Sequence, residues 1–376
     1  MRFIFLIFTF LFASDISLLN EFRLKAGLNV LRMNRYLNES AQNHAKYLYY
    51  NHFLGHYEKD GYSYFTGETP FTRVIFVGYP SRFVVENISK GQKNFNESIE
   101  NLFSAIYHRL GFLNFNVNEI GYAKVGDVFV YNLGNSVISE YCNENSARSG
   151  FIVCKDKSRL VPKEVFYSIQ KQNAKVILWP YHGMREVPVV FYEEHPDPLP
   201  DYGVSGYPIS ISFNPSYYQH IKLLSFKLFN EDKEITNTLI LTSKNDVNHK
   251  LSENDFVLFP LERLELNSIY KVVAKFIVDG NVKTFSWHFF TKREDTPIIE
   301  VENLKDTFYI KSNKLYIIYF KPLNANDTIF RIKTKYQGVT IEKFVFKDSN
   351  SVYLKVRGKG YVEIFANNRD VKFKVK

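Results

Sequence analysis

The sequence predicts an α+β amino-terminal domain followed by two all-β domains. Two observations predict it. In the amino-terminal part, apolar residues recur at three- and four-residue spacings, the period of a buried helical stripe, and alternating runs follow near residue 130. From Lys175 onward the texture changes to short extended runs separated by Pro and Gly. Helices first and strands after give an α+β domain ending near residue 140. The chain has 376 residues, enough for two or three cores.

A first helix is expected over Asp15–Lys25, with Asp15 as cap, Leu18, Leu19 and Phe22 on one face and Gly27 past its end. A longer helix carries Ala41, His44, Ala45 and Leu48 on its buried stripe, so His44 is expected to pack with its ring hydrogen-bonded. Thr69-Pro70 opens a third helix and Gly78 ends it. Asn96 opens a fourth, with Ile99, Leu102, Phe103 and Ile106 inward and His108 at its carboxyl end. Residues 119–122 and 127–133 read as strands. Residues 141–175 are expected to be a linker holding a disulfide hairpin, since 155–175 is polar and basic. Then 176–179, 187–192, 208–213 and 223–228 read as extended, and 270–278, Asp279-Gly280 and 282–291 as a hairpin. Several such strands argue for a β-sandwich over 176–294. After Asp295-Thr296-Pro297, a last β domain is expected over 297–376, with strands at 308–310, 315–320, 330–334, 351–356 and 361–366.

The first fourteen residues combine Arg2, an apolar run from Phe3 to Phe12 and a small-residue exit, which describe a secretory signal peptide and imply a secreted or periplasmic protein. No later segment is long and apolar enough for a membrane span. In an exported chain the two cysteines, Cys142 and Cys154, are expected to pair. The net charge of +9 suggests attraction to anionic lipid or envelope polymers. With the lysines scattered and no dense run, a solvated surface is the plainer reading. No nucleic-acid module is recognisable.

Several words carry a family resemblance. Leu37-Asn38-Glu39-Ser40-Ala41-Gln42-Asn43-His44-Ala45 is followed by Gly55-His56-Tyr57-Glu58, then Phe65-Thr66-Gly67, Pro70, Arg73 and Gly78-Tyr79. Glu86-Asn87-Ile88, Tyr107-His108-Arg109 and Glu119-Ile120-Gly121-Tyr122 complete the series. In this order they resemble bacterial members of the CAP superfamily of cysteine-rich secretory, antigen 5 and pathogenesis-related-1 proteins. The resemblance implies an α-β-α sandwich with a cleft where a His, a Glu and a second His converge, here His56, Glu86 and His108. A second carboxylate found in many members falls on Ala105, so a triad is implied. Residues 176–293 resemble a bacterial Ig-like domain, through Leu178-Trp179-Pro180, Gly206-Tyr207-Pro208 and Trp287-His288-Phe289-Phe290-Thr291.

Two imidazoles and a carboxylate suit Zn²⁺ or another divalent cation, with water in an open position. The expected function is therefore an exported, non-enzymatic binding protein whose cleft holds a metal or a small ligand. The alternative is a metal-dependent envelope hydrolase. The chain has no His-Glu-x-x-His word and no Gly-x-Ser-x-Gly elbow. Arg73 and Arg109 are expected to be structural charge partners.

Overall fold

The computed structural model describes residues 15–144, 147–303, 305–367 and 369–376, so the expected signal peptide lies outside the described residues. The chain divides into two compact units. The first is the described part of Met1–Trp179 with Ile211–Ile221 and Val278–Asn281; the second is Pro180–Ser210, Lys222–Ile277 and Val282–Lys376.

The first unit opens with α1 (Ser17–Lys25), β1 (Arg32–Met33), α2 (Arg35–Tyr50), α3 (Pro70–Phe76), β2 (Val85–Lys90), α4 (Phe95–Ser104) and α5 (Ile106–Phe112). It continues with β3 (Glu119–Val125), β4 (Val128–Gly134), α6 (Ser136–Glu144), α7 (Lys163–Gln170) and β5 (Val176–Trp179). Its sheet runs β1-β3-β4-β2, which leaves β4 central and buried along its whole length. Ala41, Ala45 and Leu48 of α2 pack on Val128 and Val130. On the other face Phe112 of α5 meets Tyr131 edge to face. Helices on both faces of the sheet make the expected α-β-α sandwich.

Local capping differs from expectation at two ends. Ile16, not Asp15, precedes α1, and no side chain caps it. The fourth helix starts two residues early, where Asn94 accepts from the Glu97 amide at 3.0 Å. It also breaks at Ala105 (ψ 120°), so His108 lies in a separate short helix, α5. The break frees the Phe103 carbonyl, and Arg109 Nε donates to it at 2.7 Å. Thr69 and Thr72 form a capping box at α3, as Thr69-Pro70 foretold. Residues 136–170 hold two helices that the sequence reading lacked. Cys142 and Cys154 are bonded to each other and sit in one buried cluster with Ile138, Val161 and Ile169.

The rest of the chain is mostly β. Its strands are β6 (Ile209–Phe213), β7 (Ile221–Asn230), β8 (Lys233–Ile235), β9 (Thr238–Thr242), β10 (Asp255–Pro260), β11 (Ile269–Val278) and β12 (Asn281–Phe290). Then come β13 (Ile298–Val301), β14 (Lys305–Ile310), β15 (Leu315–Phe320), β16 (Ile332–Asp348), β17 (Ser351–Ala366) and β18 (Arg369–Val375). Asp279 and Gly280 both have positive φ, the turn expected between β11 and β12. Residues 187–192 form only isolated bridges. The last sheet runs β13-β15-β17-β18-β14, with β16 beside β17. There, 351–356 and 361–366 are one strand. Gly358 and Gly360, which lie between the two expected runs, let β17 run close to β16: a Cβ on Gly360 would lie 2.0 Å from the Gln337 carbonyl oxygen.

Candidate functional site

Successive side chains of a strand point to opposite faces. On β2 this splits the Glu-Asn word. Glu86 points toward α2 and α3, and Asn87 points toward α5, where its Nδ2 donates to the His108 carbonyl at 2.8 Å. Register places Asn132 of β4 directly opposite Glu86. In the amide orientation that satisfies its neighbours, Asn132 donates to Glu86 Oε2 at 3.0 Å and accepts from Ser40.

Glu86 lies in a buried network of charges. Arg73 Nη2 reaches both its oxygens, at 2.8 and 2.7 Å. His56 Nδ1 lies 3.0 Å from Oε1, and His44 Nε2 lies 3.8 Å from the same oxygen. His44 is fully buried, with Nδ1 2.8 Å from Glu58 Oε1 and Nε2 3.1 Å from the Gly55 carbonyl. Glu58 Oε2 accepts from the Thr66 amide at 2.7 Å and the Gly67 amide at 3.3 Å. Arg73 Nη1 also donates to the His56 carbonyl at 2.9 Å, which fixes the loop that presents the imidazole.

Burial by itself would raise the Glu86 carboxyl. The charges of His44 and Arg73 and the hydrogen bond from His56 outweigh it and hold the group at about 2. The side chains of His44, Glu58 and Arg73 are inaccessible and that of Glu86 is 1% exposed, whereas His56 is 38% exposed. With Nδ1 turned to the carboxylate, His56 offers Nε2 outward. Near it in the chain, Leu54 and Tyr57 are 63% and 72% exposed.

Of the three residues expected to converge, His56 and Glu86 meet side chain to side chain. His108 is half-buried on α5 and tied to the same strand through its backbone. Sequence reasoning placed His44 in the core but missed that it belongs to this network, and it missed Glu58. The Gly-His-Tyr-Glu word held both His56 and Glu58, and only the first was weighed.

The donor set does not suit a metal bound directly to Glu86. Both its oxygens face a buried guanidinium. A dication about 4 Å from Arg73 would be repelled by roughly 8 kcal/mol even at an effective dielectric near 20. Among the described residues, no group of three or more His, Cys, Asp or Glu is arranged to hold a metal ion. His56 is different, because a ring whose Nδ1 is held by a carboxylate has the usual geometry of an Nε2 ligand.

The family model described as CAP, cysteine-rich secretory protein family, matches residues 16–132. Among solved structures the chain is similar to an extracellular protein with an SCP domain from Bacillus anthracis, at 18% identity and TM-score 0.30, over 32% of this chain and 39% of that one. It is similar to an outer surface protein from Borrelia burgdorferi, at 22% identity and TM-score 0.28, over 32% of this chain and 87% of that one. It is also similar to fibronectin(III)-like modules from Clostridium thermocellum, at 14% identity and TM-score 0.18, over 54% and 94%. Among curated proteins, none matches the chain. No helix among the described residues is long and apolar enough to cross a membrane. The sandwich that carries Glu86, His56 and His108, residues 16–132, is a CAP domain.

Proposed function

We propose that the CAP domain is the non-enzymatic binding module of an exported protein, in which His56, oriented by Glu86, contacts the ligand. The observation that supports this is the pairing of the buried charges. His44, Glu58, Arg73 and Glu86 are spent on one another, and His56 is the member that reaches the surface, between Leu54 and Tyr57. Such a rim suits a ligand with apolar groups beside a hydrogen-bonding group. The β domains over 176–294 and 297–376 are spacers or additional contact surfaces in this reading, and 1–14 is the export signal.

The hydrolase reading has one feature in its favour: a carboxylate-oriented imidazole is also how a general base is held. The Arg73 ion pair weighs against the metal it would need at Glu86. Calorimetric titration of Zn²⁺ into the chain and into its Glu86→Gln and His56→Ala variants tests the reading, with folding checked by circular dichroism. No zinc uptake that depends on Glu86 is expected. One tightly held equivalent of zinc, lost in a folded Glu86→Gln variant but kept in His56→Ala, would overturn the proposal.

A further inference from the structure

Nearly all the chain's net charge lies at its carboxyl end. Residues 297–376 hold sixteen Lys and Arg against eight Asp and Glu, a net +8 of the total +9. No dense run marks them, because they alternate with apolar residues along strands, as in Val371-Lys372-Phe373-Lys374-Val375-Lys376. Alternation sends one set inward and the other outward. Val371, Phe373 and Val375 are buried, as are Val362 and Ile364 on β17. Lys372 and Lys374 of β18 therefore lie on the outer face of the sheet, while Arg369 is buried with the inward set.

Register shows which of them are neighbours. Tyr309 of β14 pairs with Lys374 of β18, Lys374 with Tyr361 of β17, and Tyr361 with Gln337 of β16. In the next row Lys372 pairs with Glu363 and Glu363 with Lys335. Lys333 lies opposite Phe365 beyond them. The tyrosines are wrapped by ammonium groups. Lys372 Nζ lies 4.0 Å from the Tyr361 ring and Lys376 Nζ 4.2 Å from Tyr309, a ring that is 60% exposed. Glu363 takes Lys372 at 2.8 Å. Among the described residues no carboxylate pairs with Lys333, Lys335, Lys374 or Lys376.

We propose that this outer face of β14, β18, β17 and β16 docks on the surface of an anionic phospholipid bilayer. A sheet face presents a plane rather than a groove, which matches a planar array of head groups better than one polymer strand. Unpaired lysines supply the attraction, about 1 kcal/mol each near such a surface. Half-exposed tyrosines are the side chains that settle at the membrane–water boundary. Docking would hold the exported chain at a membrane while the CAP domain binds its own ligand. The two proposals use different residues and fail independently.

Co-sedimentation of the full mature chain with vesicles tests this. Phosphatidylcholine mixed with phosphatidylglycerol should pull the protein down and phosphatidylcholine alone should not, and added salt should release it. The variant Lys335→Gln, Lys374→Gln, Lys376→Gln should bind about a hundredfold more weakly, on the order of 1 kcal/mol being lost per lysine. A control with the same charge change on another sheet, Lys222→Gln, Lys271→Gln, Lys275→Gln, should bind like the parent. Equal losses in both variants would reduce the effect to net charge and overturn the proposal. So would binding to heparin, as a soluble polyanion, with none to the anionic vesicles.

Discussion

Charge is used in opposite ways in two regions of this chain. Around Glu86 in the CAP domain, cations and carboxylates are buried and satisfy one another. On the outer face of the carboxyl-terminal sheet, lysines are exposed and mostly unpaired. Burial makes the first arrangement strong and specific, because a charge removed from water is tolerable only with its partner in place. Exposure makes the second weak per residue and additive, screened by salt and free to meet an external anion.

The hardest test of this contrast is removal of one buried partner. Arg73→Ala leaves Glu86 and Glu58 in the interior without their guanidinium. It should cost about 3–5 kcal/mol in urea denaturation, with the same loss at low and high salt. A loss under 1 kcal/mol would mean that the network is hydrated and the contrast false.

Next in size is the bond between Cys142 and Cys154. It closes a short loop, so replacing both by Ser should cost about 3 kcal/mol in the loop-entropy model. That bond was legible from cysteine count and apparent export alone. The elements around it were not. Residues 155–175 are polar and basic, and α7 buries little beyond Ile169 and Gln170, too thin a stripe to stand out. The same limit explains the carboxyl-terminal sheet, where 351–356 and 361–366 were expected as two strands and form one, β17. Glycine there serves the close approach of β16, a tertiary need that no local pattern displays. At the site, order and spacing of words pointed to His56 and Glu86, whose side chains meet, and to His108, whose carbonyl accepts from Asn87. What they could not give was the partner of Glu86. Arg73 was expected to be structural, and only the fold reveals that it reaches both carboxylate oxygens.

Acid sharpens the comparison further. Glu86 sits at about 2 in the folded chain against an ordinary 4.5. A carboxyl lowered by folding stabilises the native state fully above its unfolded value and loses that contribution as pH falls toward the folded one. The network should therefore give up roughly 3 kcal/mol between about pH 4.5 and pH 2. Glu86→Gln should flatten this part of the pH–stability curve, even though the variant is less stable at neutral pH. The outer lysines stay charged throughout that window, so Lys335→Gln or Lys374→Gln should leave the shape of the curve alone. An unchanged slope in Glu86→Gln would assign the acid response to other carboxyls.

The smallest effect has the opposite sign. Lys343 and Lys355 are direct partners in the register of β16 and β17, and like charges facing across strands oppose pairing. Glu342 relieves this in part, lying 3.1 Å from Lys355 and 3.4 Å from Arg357. Lys343→Gln should consequently stabilise the chain by a few tenths of a kcal/mol, more at low salt than at high. Lys374→Gln, which removes a cation with no carboxylate partner, should behave alike. Such gains are easy to reach by mutation, so cations kept against stability indicate a surface retained for something other than folding. Measured losses for both variants would mean that these lysines contribute through their methylene stems and ring contacts. The face would then be a packed exterior and not a docking plane.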